Sequence, residues 1–280
     1  MNNLIAGIQI LRPLNILLTL LSVFIASWLI NSLESPLLFY TGLVVICFAG
    51  ASNILNDVLD IRIDKINRPN RVLSSEKLQI KDAVILMSVL YSTGIIASTY
   101  INPLGRYIAL ALVLPLLILY TPFLKKMPLI GNLVVGLILG LVFIFTEGAI
   151  IGNVDKMWIP FALSAHLSSI RELIKDAADI KGDSIINLQT FPIKYGLKST
   201  LWLLRILTSC LCFFAIIPYL KGWYGNYYII LLFFSVLLPS IYSVFFLLNK
   251  TSIEQDYHRI AKIFKAITIA GMLVILSTGF

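Results

Sequence analysis

Charge is scarce in this sequence. Only 13% of its 280 residues are Asp, Glu, Lys or Arg, and 59% are hydrophobic, whereas a soluble domain carries roughly 25% charged residues. That scarcity excludes an ordinary water-soluble domain and points to a polytopic membrane protein. Cysteine is also sparse: Cys47, Cys210 and Cys212 lie inside apolar runs with no pairing or ligand spacing, which excludes a disulfide framework and a zinc site. The two histidines, His166 and His258, are read as structural groups. No small-residue cleavage site follows the first apolar run before Glu34, so that run is expected to be a retained span and not a signal peptide.

What is present in abundance is hydrocarbon. Runs of the roughly 17–25 residues that a helix needs to cross about 30 Å of lipid can be drawn near 14–32, 37–55, 80–98, 106–123, 129–147, 157–174, 200–220, 227–248 and 261–279. The expectation is an all-α bundle of about nine transmembrane helices, with residues 1–280 forming one integral-membrane domain and no soluble domain left over. The net charge of +8 would suit nucleic acid on a soluble protein, but its distribution argues for topology and against a nucleic-acid partner. With the N-terminus inside, 19 of the 22 Lys and Arg residues, Lys250 among them, fall on one side of the spans; Arg106, Lys156 and Lys221 fall on the other. Cytoplasmic loops collect such charge, so a multi-pass protein of the cell (inner) membrane is expected, with the N-terminus cytoplasmic.

Against this shortage of acids, six of the fourteen stand in two short windows, at Asp57, Asp60 and Asp64 and at Asp176, Asp179 and Asp183. Each window ends an even-numbered span, so both face the cytoplasm and one shared site is geometrically possible. The windows begin 119 residues apart, which suggests a diverged tandem repeat of four-span units. At about 100° per residue, Asn56, Asp57, Asp60 and Asp64 all fall within about 60° of the direction of Asn53, and Glu172, Asp179 and Asp183 within about 60° of that of Asp176, so each set shares one helix face. Crowded carboxylates repel unless a cation offsets them. Oxygen ligands in excess suit Mg²⁺, which keeps several waters and sits between one or two carboxylates and substrate phosphates. Arg68 and Arg71 follow the first window, and Lys175 and Lys194 flank the second. These cations could take charge developing on a departing diphosphate.

The stretch Asn56 to Asp64, an N-D-x-x-D-x-x-x-D pattern, resembles the signature of the UbiA superfamily of intramembrane prenyltransferases, and Asp176 to Asp183 resembles its second aspartate motif. Within that superfamily, Asp64 to Arg71, Arg171 to Asp176, Gly182-Asp183 and Thr190-Phe191-Pro192 look most like the geranylgeranylglycerol-phosphate geranylgeranyltransferases. Val72-Leu73-Ser74-Ser75-Glu76 departs from such relatives, which often carry a proline and a Ser-Gly pair there.

The resemblance implies Mg²⁺-dependent transfer of a polyprenyl group, geranylgeranyl in those relatives, from its diphosphate to a lipid acceptor such as geranylgeranylglyceryl phosphate. It also implies roles for particular residues. Asp57, Asp60, Asp64, Asp176, Asp179 and Asp183 would hold metal, and Asp60, Asp64, Asp176, Asp179 and Lys175 would be catalytic. Asn53, Asn56, Arg68, Arg71, Lys175 and Lys194 would bind substrate. Membrane lipids surround the chain, and no obligatory protein partner is evident. Two other readings remain open: prenylation of an aromatic or tetrapyrrole acceptor, and secondary transport with a midplane ion site. Transport is disfavoured because both acid windows lie at one membrane face.

Overall fold

The computed structural model describes residues 2–185, 188–249 and 251–279; Lys250, counted above among the cytoplasmic cations, lies outside them. The described residues are helical and contain no strand. In chain order the helices are α1 (Asn2–Ile10), α2 (Pro13–Leu29), α3 (Leu37–Leu59), α4 (Ile61–Asn67), α5 (Ile80–Ser98), α6 (Pro103–Tyr120), α7 (Ile130–Ile150), α8 (Trp158–Ala178), α9 (Ile180–Ile185), α10 (Phe191–Leu220), α11 (Asn226–Leu247) and α12 (Glu254–Leu276).

Each of the nine apolar runs falls on one of the long helices, but six of these are long and apolar enough to cross a membrane: α3, α5, α6, α7, α10 and α11. The bent pair Leu4–Ile10 and Pro13–Leu29, at 53° to each other, makes a seventh if it is one span. Helices α8 and α12 have the length, yet Arg171, Glu172, Lys175 and Asp176 on the first, and Arg259, Lys262 and Lys265 on the second, put them outside that class. The expected count of nine is therefore not reached by length and composition. On α5 the side chains of Ile85, Val89 and Ile96 are more than half exposed, the opposite of what an aqueous surface tolerates and what lipid contact requires.

Two prolines that interrupt apolar runs have a local accommodation. A proline cannot donate to the carbonyl four residues back, and its ring crowds that carbonyl. The turn before Pro115 widens to a π-helix over Ile108–Val113, and the turn before Pro239 does so over Phe233–Leu237, which keeps both helices continuous.

The chain forms two compact units, residues 1–124 with 142–155, and residues 125–141 with 156–280. In the first, α3 packs along α5, with Gly94 of α5 set against the Phe48 ring. Below the first acid window a small core gathers Ala6 and Ile10 of α1, Ile54 of α3, Ala83 of α5, and Val72 and Leu73 from the loop after α4. In the second unit α8 lies between α10 and α12. Ile170, Leu173, Ile174 and Ala177, spaced three and four residues apart on one face of α8, are fully buried, and each of the Ile and Leu side chains contributes about 1.5–3 kcal/mol when withdrawn from water. That face anchors the helix and leaves Arg171, Glu172, Lys175 and Asp176 on the other.

The start of α7 approaches α8 closely because small residues let backbones meet. A Cβ at Gly140 would stand 2.6 Å from the Phe161 carbonyl oxygen and 2.9 Å from the Ala165 Cβ. Gly140→Ala should accordingly cost about 1–3 kcal/mol, seen as a lower Tm in detergent; an unchanged Tm would refute a need for glycine at this contact.

Candidate active site

The first acid window begins on α3 and does not stay on one helix. Asp60 terminates α3 with φ −94° and ψ 9°, and the chain resumes as α4. The second window does the same: Asp179 ends α8 with φ −100° and ψ 10°, and α9 follows. The single continuous acidic faces expected from the sequence are thus each broken at the middle aspartate. Backbone bonds carry the chain across both breaks. Asp60 N–H donates to the Asn56 carbonyl at 2.9 Å and Asp64 N–H to that of Asp60 at 2.8 Å; in the second window Asp179 N–H donates to Lys175 at 2.9 Å and Asp183 N–H to Asp179 at 3.1 Å. The two windows share the same 3, 4 spacing and the same break.

Two half-buried arginines pair with the carboxylates of the first window. Arg71 Nη1 donates to Asp57 Oδ1 at 3.0 Å and to Asp64 Oδ2 at 2.5 Å, and Arg12 pairs with Asp57 from the turn between α1 and α2. Asp57 and Asp64 are each 4% exposed, so charges left unpaired here would be costly. Burial pushes the Asp64 carboxyl up from its ordinary value, against the pull of Arg71, with Asp57 and Asp60 adding repulsion. Burial likewise lowers Arg71, and the nearby charge of Arg12 lowers it further. Val72 and Leu73, which follow Arg71 directly, are sunk in the core and hold the arginine in place.

Arg12 is a site residue the sequence reading did not single out. It lies 45 positions from Asp57, and its only local signal is Pro13, which starts α2. Arg12 itself adopts a left-handed conformation, φ 57° and ψ 69°, at the bend that turns it toward α3. Asn53 fastens this bend by donating from Nδ2 to the Leu11 carbonyl at 2.9 Å. Asn56 accepts a hydrogen bond from the Thr121 hydroxyl, which comes from beyond the end of α6. Arg68 is half-buried at the end of α4.

In the second unit Asp176 Oδ2 accepts from Asn132 Nδ2 of α7 at 2.7 Å, a partner that sequence reading also missed. Lys175 Nζ donates to both carboxylate oxygens of Glu172, at 2.8 and 2.7 Å. Asp183 is buried, and its carbonyl accepts from Leu188 N–H at 3.0 Å. Lys194 is exposed near the start of α10, with its ammonium 5.4 Å from the Tyr195 ring centroid. His166 is held at 3.0 Å from the Leu207 carbonyl, in keeping with a structural role.

The UbiA prenyltransferase family matches residues 15–265. The chain belongs to that family. As a UbiA family member it is an integral, multi-pass membrane prenyltransferase. Its similarity to digeranylgeranylglyceryl phosphate synthases runs nearly end to end: 32% identity over 267 residues with the Methanosphaera stadtmanae protein, covering 95% of each chain, and 35% over 225 residues with that of Methanococcus aeolicus, covering 79% of each. A solved structure of digeranylgeranylglyceryl phosphate synthase superposes with a TM-score of 0.79 at 27% identity, covering 100% of this chain and 99% of the other. A UbiA homologue from Archaeoglobus fulgidus, solved with GPP and Mg²⁺, shares the fold at a TM-score of 0.70 and 16% identity over 96% of this chain and 99% of its own.

Proposed function

We propose that the chain moves a geranylgeranyl group from its diphosphate to the free hydroxyl of geranylgeranylglyceryl phosphate, with Mg²⁺, in ether-lipid assembly. The observation that carries this reading is the 32% identity over 95% of the chain to a digeranylgeranylglyceryl phosphate synthase, a name that specifies the product, a glyceryl phosphate bearing two geranylgeranyl groups.

The donor set is all oxygen. Among the described residues no group of three or more His, Cys, Asp or Glu is arranged to hold an ion by itself, which fits a metal that arrives with substrate phosphates and takes one or two carboxylates. The proposed ligands are Asp57, Asp60 and Asp64 in the first unit and Asp176, Asp179 and Asp183 in the second. When bound, Mg²⁺ would supply Lewis-acid neutralisation of the departing diphosphate. Arg68, Arg71, Lys175 and Lys194 are the proposed partners of diphosphate oxygens, and Asn53 and Asn56 are proposed as polar substrate contacts. The bond from the prenyl C1 to the diphosphate oxygen breaks, the acceptor hydroxyl oxygen bonds to C1, and the hydroxyl proton is released. Apolar helices around the site keep water from taking the acceptor's place. The site and the N-terminus are placed on the cytoplasmic side of the cell membrane.

The test uses detergent-purified protein with Mg²⁺ and geranylgeranyl diphosphate, offered geranylgeranylglyceryl phosphate, 4-hydroxybenzoate and homogentisate together, with mass analysis of extracted lipids. A diether phosphate is expected, lost on chelation with EDTA and restored by Mg²⁺. Preferential prenylation of an aromatic acceptor would overturn the assignment of acceptor.

A further inference from the structure

We propose that Arg171 binds the phosphate of the acceptor and sets the preference for a phosphorylated acceptor over its free alcohol. The inference rests on the function proposed above, under which two different anions must be held. One is a diphosphate that leaves; the other is a phosphate monoester that takes no part in bond making. The second needs fixed cations, because a metal that activates a leaving group does nothing useful there.

The basic side chains near the two acid windows differ in how they are engaged. Arg12 and Arg71 each have carboxylate partners in Asp57 and Asp64, and Lys175 is held by both oxygens of Glu172. Arg171 stands apart. Its Nε is buried, yet no hydrogen-bond acceptor meets it. A buried N–H without an acceptor costs about 1–3 kcal/mol, and such a group in a folded protein calls for an explanation such as a ligand. Arg205 also has an unmet Nε, but its guanidinium lies over the Trp202 and Phe245 rings and donates to the Leu248 carbonyl, which accounts for it as a helix-end support.

The surroundings of Arg171 favour an anion. It precedes Lys175 by one helical turn, a spacing that puts two side chains on neighbouring positions of one helix surface. The charges of Lys175, Arg171 and Lys125 all bear on the carboxylate of Glu172, and Lys175 takes both of its oxygens. Glu172 thus steadies Lys175 without satisfying Arg171. A planar guanidinium matches a phosphate with two parallel hydrogen bonds, which an ammonium cannot reproduce. The opposite face of α8, built on Ile170, Leu173 and Ile174, is fully buried, so the helix that presents Arg171 is firmly seated.

The experiment measures transfer by wild type, Arg171→Gln and Arg171→Lys to two acceptors, geranylgeranylglyceryl phosphate and dephosphorylated geranylgeranylglycerol, with donor KM determined in parallel. In Arg171→Gln the KM for the phosphorylated acceptor is expected to rise on the order of tenfold to a hundredfold, with donor KM nearly unchanged. The preference for phosphate over alcohol should collapse, and Arg171→Lys should fall between. Because that preference is a ratio within one preparation, a partly unfolded variant does not disturb it. An unchanged preference in Arg171→Gln, or an equal rise in both KM values, would overturn the proposal. Absence of diether product from wild type would instead overturn the functional reading, before any variant is compared.

Discussion

Asp60→Asn and Asp176→Asn are each expected to reduce prenyl transfer on the order of a thousandfold, about 4 kcal/mol in the barrier, while the protein still purifies as a monodisperse, folded species. The substitution keeps the shape of each side chain and removes only its charge. At Asp176 the structural demand is an acceptor for Asn132 Nδ2 at 2.7 Å, and an amide oxygen can meet it. At Asp60 the helix break is made by backbone, with its N–H on Asn56 and its carbonyl taking Asp64 N–H. Rates from mass analysis of the lipid product, set beside Tm values in the same detergent, decide the matter. Full activity in both variants would refute the assignment of these carboxylates to the metal.

Arg71→Ala should unfold the first unit well before it informs on catalysis. Arg71 bridges two carboxylates whose side chains are 5% and 6% exposed. Removing one partner of a buried pair strands the other charge, at a cost of about 3–5 kcal/mol. Arg12 continues to neutralise Asp57, so the stranded group is chiefly Asp64. The expected result is a marked fall in Tm for Arg71→Ala and recovery of much of it in Arg71→Ala combined with Asp64→Asn. If the double variant is as unstable as the single, the loss comes from the packing of the Arg71 stem, and the ion pair is not what holds the loop. Arg71→Lys is expected to be intermediate, since an ammonium pairs with one carboxylate but spans two poorly.

The sequence points Arg71 toward substrate charge, and the structure adds a second duty that precedes it. The same holds for Asn53. The resemblance gives it a role in binding substrate, and in the fold it fastens the turn that carries Arg12. Val72 and Leu73 were notable in the sequence as a departure from the relatives' pattern. In the fold they are buried beneath the acid window, which gives that departure a packing consequence.

What the sequence determined by itself is what depends on near neighbours. Hydropathy over some twenty residues located the long helices, and the spacing of Asp57, Asp60 and Asp64 and of Asp176, Asp179 and Asp183 placed acids at the ends of two of them. Both patterns are written in the chain because helix period and charge crowding are local properties. The sequence could not place the helix breaks at Asp60 and Asp179, since a polar stripe reads the same whether its helix is continuous or interrupted. Nor could it pair Arg12 with Asp57, Asn132 with Asp176, or Thr121 with Asn56, across 45, 44 and 65 positions. Those partners are chosen by packing: the bend before α2, the glycine-lined approach of α7 to α8 and the packing of the end of α6 on α3. Only tertiary structure decides them, because burial of a charge or an amide fixes that it must be satisfied and leaves open by which distant residue.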